Sequence, residues 1–231
     1  MKRLIIANWK MNGSIQLIQE FRSLKKADGI TAVICPPACY LPLFANTSMN
    51  FGAQNCYSAN GGAFTGEISA IQLKELGCTH VILGHSERRT QFHETDSQVN
   101  HKAANAIAQG LIPIICIGET YAERNEGRFE QVLLSQLDQA THRLNPRRYV
   151  IAYEPIWSIG TGLVATPHDI QNVITLIQHR LGDNTPIIYG GSVNDKNAKA
   201  LSNIPGLNGV LVGGASLNVT TFQSIIDAFQ V

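Results

Sequence analysis

Tyr149-Val150-Ile151-Ala152-Tyr153-Glu154-Pro155 sets five consecutive apolar or aromatic residues against a carboxylate and a proline. A strand with one wet face alternates polar and apolar residues. A run that is apolar at every position is buried on both faces, as in a parallel sheet covered by helices. Short runs of the same kind recur at 4–7, 32–35, 50–53, 81–83, 112–117, 187–189 and 209–212. Longer helical patterns lie between them. Residues 97–109 place Val99, Ala103, Ala104 and Ile107 on one stripe, stopped by Gly110. Thr166-Pro167-His168-Asp169 offers an N-cap, a first-turn proline and an early acid to a helix that Gly182 ends. Residues 219–230 align Val219, Phe222, Ile225, Ile226 and Phe229. The runs begin roughly 20 to 37 residues apart, the length of a strand-plus-helix unit. Eight such units predict an α/β fold, a closed (β/α)8 barrel of eight parallel strands ringed by helices, with a doubly wound open sheet as the alternative. No long Pro- or Ser-rich linker divides the chain, which reads as a single domain over residues 1–231.

Composition narrows the function. With 231 residues and 44% hydrophobic content the chain buries a sizeable core and is not disordered. Lys plus Arg is 18 against 17 for Asp plus Glu, so charge makes no case for nucleic acid or a membrane surface as partner. No apolar stretch approaches the ~20 residues that cross a bilayer. The opening residues are too short an apolar run for a signal peptide before a strand pattern begins. Cys35, Cys39, Cys56, Cys78 and Cys116 are an odd, scattered set without a C-x-x-C pair, which reads as reduced thiols in a cytoplasmic protein. Cys35 and Cys39 have no second pair to close a zinc site, and no metal is expected.

In a parallel architecture ligands bind beyond the carboxyl ends of the strands. The polar residues just past the runs are Asn8 and Lys10, Gln54 and Asn55, His85 and Glu87, Cys116 and Glu119, Glu154, and Ser192, followed by Gly213 and Gly214. Lys10 is either a surface residue or a local positive charge for an anion. His85 opens a short helix in Gly84-His85-Ser86-Glu87-Arg88-Arg89. A helix N-terminus disfavours an imidazolium cation, and a neutral ring donates to a carbonyl oxygen; the plainer reading is a hydrogen-bonded structural histidine. Glu154 is costly to bury without a task or a partner, so it is a general base or half of an ion pair with an arginine. Gly190-Gly191-Ser192 and Gly213-Gly214-Ala215 follow the last two runs, where barrels hold phosphate on backbone N–H groups. Residues 155–162 set Trp157 and Ile159 near Gly160 and Gly162, a composition suited to a lid that closes over a ligand. Cys116 reads as a buried thiol rather than a nucleophile. His93-Glu94 lacks the second histidine of a zinc-protease helix, and neither a P-loop nor a nucleophile elbow occurs.

Eight stretches in order resemble the triosephosphate isomerase family from end to end of the chain. They are Ala7-Asn8-Trp9-Lys10-Met11-Asn12-Gly13, Gly52-Ala53-Gln54-Asn55, Gly62-Ala63-Phe64-Thr65-Gly66-Glu67-Ile68-Ser69 and Gly84-His85-Ser86-Glu87-Arg88-Arg89. The others are Cys116-Ile117-Gly118-Glu119-Thr120, Ala152-Tyr153-Glu154-Pro155-Ile156-Trp157, Tyr189-Gly190-Gly191-Ser192-Val193 and Leu211-Val212-Gly213-Gly214-Ala215-Ser216-Leu217. The resemblance implies a TIM barrel that interconverts dihydroxyacetone phosphate and D-glyceraldehyde 3-phosphate through an enediol(ate), in glycolysis and gluconeogenesis, with no cofactor. It implies Glu154 as the base, His85 as the electrophile and proton shuttle, and Lys10 as the positive charge. Asn8, Lys10, Gly160, Ser192, Gly213 and Gly214 would contact the substrate, with Glu87 and Cys116 in support. It also implies a cytoplasmic homodimer in which residues 56–67, carrying Phe64 and Thr65, reach into the neighbouring subunit beside Lys10. The chain departs from the family at Leu163-Val164-Ala165, where the family most often begins with Lys, and it is shorter between Glu154 and Tyr189 and between Gly13 and Cys35. Another phosphate-binding barrel enzyme, a lyase or an epimerase, is the alternative; a barrel kept as a non-catalytic binding module is a third reading.

Overall fold

Every apolar run is a strand, matched to within two residues at either end. The structure, a computed structural model, describes residues 2–45, 47–158 and 164–230. The strands are β1 (Arg3–Asn8), β2 (Ile30–Cys35), β3 (Asn50–Ala53), β4 (His80–Leu83), β5 (Ile112–Ile117), β6 (Val150–Tyr153), β7 (Ile187–Tyr189) and β8 (Gly209–Val212). All neighbours pair in parallel and β8 returns to β1, so the sheet is a closed barrel rather than an open one. At the closure Leu4 pairs with Gly209. Gly209 has φ +152°, and a Cβ there would stand 1.8 Å from the Leu4 carbonyl oxygen, so only glycine admits this approach.

Side chains alternate across each strand, and both sets are apolar because both are buried. Ile6, Val33, Ile82, Ile114, Ile188 and Leu211 fill the barrel interior. Ile5, Val81, Ile115 and Ile151 face outward into a second layer with Phe21, Leu133, Val173 and Phe222. Burying each such side chain stabilises by roughly 1.5–3 kcal/mol. The ring around the barrel comprises α1 (Ile15–Phe21), α2 (Ala70–Glu75), α3 (Ser86–Phe92), α4 (Asp96–Ala108), α5 (Tyr121–Asn125), α6 (Phe129–Ala140), α7 (Pro167–Leu181), α8 (Ala198–Ser202) and α9 (Val219–Ala228). Thr166 and Asp169 form a capping box on α7 and Gly182 is its C-cap, as their spacing predicts.

The stripe expected on α4 needs correction. Its buried face is Val99, Lys102, Ala103 and Ala106, while Ala104 is exposed. The 3.6-residue period from Val99 runs through 102, 103 and 106, and the lysine belongs to it because a buried carboxylate, Glu94, receives its ammonium. Among the described residues no helix is long and apolar enough to cross a membrane.

Candidate active site

A parallel barrel places the carboxyl end of every strand on one rim, so residues far apart in sequence meet there. Asn8, Lys10, His85, Glu154, Ser192, Gly213 and Gly214 line one cavity of about 280 Å³ at that rim. Glu87 adjoins it through Lys10, and Cys116 is buried inside the barrel beside Glu154. Phe64 and Thr65 lie apart, on an exposed loop. Gly160, Ile159 and Leu163, expected on the lid, lie outside the described residues.

Lys10 follows β1 with φ 53°, a left-handed conformation uncommon for a residue with a Cβ. Two side chains clasp it there. Asn8 Oδ1 accepts its N–H at 3.0 Å. Gln54 Nε2 donates to its carbonyl at 2.8 Å and to that of Cys35 at 2.9 Å. The ammonium then meets Glu87 Oε1 at 2.6 Å. Sequence marks Gln54 only as a polar residue past β3; its clamp on Lys10 has no local signature.

His85 caps α3, and its Nδ1 accepts the Glu87 N–H at 3.2 Å. With Nδ1 acting as acceptor, the single ring proton sits on Nε2. Nε2 lies 3.2 Å from Glu154 Oε1. Glu154 itself is 1% exposed. Its Oε2 accepts the Ser86 N–H at 3.0 Å, whereas Oε1 makes no well-formed hydrogen bond among the described residues. No arginine pairs with it among those residues, so the ion-pair reading of Glu154 fails. A carboxylate sealed this way is costly to bury without a task.

Burial first, and then the neighbouring Glu154 carboxylate, push the Cys116 thiol well above its ordinary range. It is a neutral packing group, not a thiolate nucleophile. Space for the base comes from a glycine: a Cβ on Gly190 would stand 2.8 Å from Glu154 Cγ. Its neighbour Gly191 is equally constrained, since a Cβ there would stand 2.2 Å from Tyr189 Oη. The N–H groups of Gly191, Ser192 and Gly213 have no acceptor among the described residues, and a short 3₁₀ turn, Gly214–Leu217, begins beside them. Ser192 Oγ is already committed to the Ser158 carbonyl at 2.7 Å, so the amide rather than the hydroxyl is free to donate. All three residues border the one cavity, the arrangement that an anion cradle requires.

Glu119, read only as a polar strand-end residue, organises the segment after Glu154. Fully buried, its Oε1 accepts from Tyr153 Oη at 3.0 Å, Trp157 Nε1 at 2.8 Å and Arg124 Nη1 at 3.0 Å. Arg124 in turn meets Asp169 at the start of α7 at 2.5 Å. The described residues contain no group of His, Cys, Asp and Glu arranged to hold a metal.

The family model for triosephosphate isomerase matches residues 3–229. A triosephosphate isomerase of Hahella chejuensis is 41% identical over 98% of this chain and 98% of its own length. One from Wolbachia sp. subsp. Brugia malayi is 46% identical over 100% of this chain and 99% of its own. The crystal structure of triosephosphate isomerase from Bartonella henselae superposes with a TM-score of 0.90 at 37% identity, covering 99% of each chain. A match that begins in β1 and ends just past α9 takes in every strand that contributes to the cavity, and the chain belongs to the triosephosphate isomerase family.

Proposed function

We propose that this chain interconverts dihydroxyacetone phosphate and D-glyceraldehyde 3-phosphate, a step of glycolysis and gluconeogenesis. The observation that carries the reading is the meeting of a sealed carboxylate, an imidazole N–H and an ammonium around one cavity bordered by free backbone amides. Glu154 Oε1 takes a proton from the carbon next to the carbonyl. The electron pair of that C–H bond forms the carbon–carbon double bond of the enediol(ate), and the carbonyl π pair moves onto oxygen. His85 Nε2–H and Lys10 meet the charge there; removing one such preorganised donor typically costs about 3 to 4 kcal/mol. A proton passes between the two oxygens through His85, and Glu154 returns its proton to the other carbon. Atoms and electrons balance without a metal or an organic cofactor. The phosphate does not react, so its binding at Gly191, Ser192, Gly213 and Gly214, with Gly160 as a further contact, holds the reacting carbons at the base. Asn8 and Glu87 keep Lys10 in place, and Cys116 packs beside Glu154.

A coupled spectrophotometric assay with each triose phosphate, run with and without a chelator, tests this. Turnover in both directions, indifferent to chelation, is the expected result. No turnover, or strict metal dependence, would favour a phosphate-binding lyase or epimerase.

The same reading makes the working form a homodimer in the cytoplasm, each subunit one barrel domain over residues 1–231. The first and last strands belong to one sheet, since β1 pairs with β2 and with β8. All five cysteines are free, which suits a reducing compartment. Phe64 and Phe92 are 43% and 64% exposed. The Phe64 ring packs on Tyr57, at 4.5 Å between ring centroids. Beside this projecting loop lies a hollow of about 330 Å³ bordered by Asn55, Arg88 and Phe92. A knob next to a hollow is what a two-fold interface needs. Sedimentation of the wild type is expected to give the dimer mass, and Phe64→Glu together with Thr65→Arg is expected to give the monomer mass with activity reduced at least about tenfold. A fully active wild-type monomer at micromolar concentration would overturn this.

A further inference from the structure

The opposite end of the barrel holds a second cavity, of about 390 Å³, that the isomerase reading does not use. Thr31 on β2 and Pro186 just before β7, on the inward parity of Val33 and Ile188, put small side chains at this mouth, and Asn208 borders it. Leu4, Ile112 and Val150 supply apolar walls.

His80, at the start of β4, lines the cavity while being only 6% exposed. Thr79 Oγ1 lies 3.1 Å from the Phe51 carbonyl and 2.8 Å from His80 Nδ1. Nδ1 thus shares a hydrogen bond with the Thr79 hydroxyl, and no described residue engages Nε2. Burial lowers the His80 pKa to about 4, so the ring is uncharged at physiological pH. The floor of the mouth is neutral.

The rim is not neutral. Lys2, Arg147 and Arg148 border the cavity, and no Asp or Glu does. None of these three cations takes part in an ion pair among the described residues. Among the described residues the Arg148 side chain reaches only the Ile107 carbonyl, at 3.4 Å. An apolar cup under an uncompensated cationic rim matches a ligand that is apolar at one end and anionic at the other. We infer that this mouth binds a small amphipathic carboxylate, its ring or branched body against Leu4, Ile112 and Val150 and its carboxylate on Arg147 and Arg148. Arginine forks take a carboxylate through paired N–H bonds, and the volume falls within the range of small-molecule sites.

Titration calorimetry of the whole protein with benzoate, in the presence of inorganic phosphate to fill the catalytic cavity, tests the inference. Saturable binding is expected, weakened at least about tenfold both for the double variant Arg147→Ala/Arg148→Ala and for acetate, which lacks the apolar body. The two arginines are exposed and outside the isomerase machinery, so unchanged isomerase turnover will show that the double variant is folded. His80→Phe, which fills the floor and keeps the rim, is expected to weaken benzoate as well. The inference is overturned by the absence of saturable binding at millimolar benzoate, by equal affinity in the arginine variant, or by acetate binding as tightly.

Discussion

Shortening Glu154 to aspartate is expected to cut kcat at least about a hundredfold, since withdrawing a base by ~1 Å disrupts a near-attack geometry. The carboxylate lies between the Ser86 N–H and His85 Nε2, and Gly190 leaves no room on its other side for the backbone to compensate. KM should move much less, because the amides of Gly191, Ser192 and Gly213 that would bind phosphate are untouched. The signature is therefore a loss in kcat at nearly constant KM, in a protein with an unchanged circular-dichroism spectrum. Wild-type turnover would show that Glu154 is not the base. A large rise in KM with kcat intact would show that it merely binds substrate.

Glu94→Ala is expected to destabilise the fold by about 3–5 kcal/mol, the cost of stranding a buried charge. The stranded charge is Lys102, whose ammonium pairs with Glu94 and donates to Asn55 Oδ1 at 3.1 Å, with both partners at most 9% exposed in their side chains. Glu94 Oε2 also accepts the Gly84 N–H at 3.2 Å, and Arg88 Nε stands 3.6 Å away. One carboxylate thus ties α4 to the turn that carries His85. For a chain of this length the loss corresponds to a drop in Tm of roughly 6–20 °C. Glu94→Leu combined with Lys102→Met removes both charges and should recover most of it. A loss below about 1 kcal/mol for Glu94→Ala would place the pair with solvated surface bridges.

The two predictions differ in how far the sequence foretells them. Glu154 ends an apolar run, so a carboxylate at the rim of a parallel sheet is visible from its neighbours alone. Lys102 lies in a helical pattern whose most conspicuous members are small and apolar, and nothing beside it in the chain marks it as buried. Its burial depends on Glu94, which the sequence shows only as part of a failed metal motif. Gln54 and Glu119 are similar cases. Each stands visibly past a strand, yet the groups they hold, the Lys10 carbonyl and the donors Tyr153, Trp157 and Arg124, come from other units of the barrel.

Sequence by itself determined the strands, the order of the units and the set of polar residues at their carboxyl ends. Burial on both faces writes a continuous apolar run, and right-handed crossovers send every such end to the same rim. Tertiary structure alone decided that Nδ1 of His85 accepts, that its Nε2 stands 3.2 Å from Glu154 Oε1, and that Lys10 is held in a left-handed turn. It also decided that the far mouth is hollow under a cationic rim. Those features arise from distances set by barrel closure and strand register, which bring together residues with no local relation in the chain.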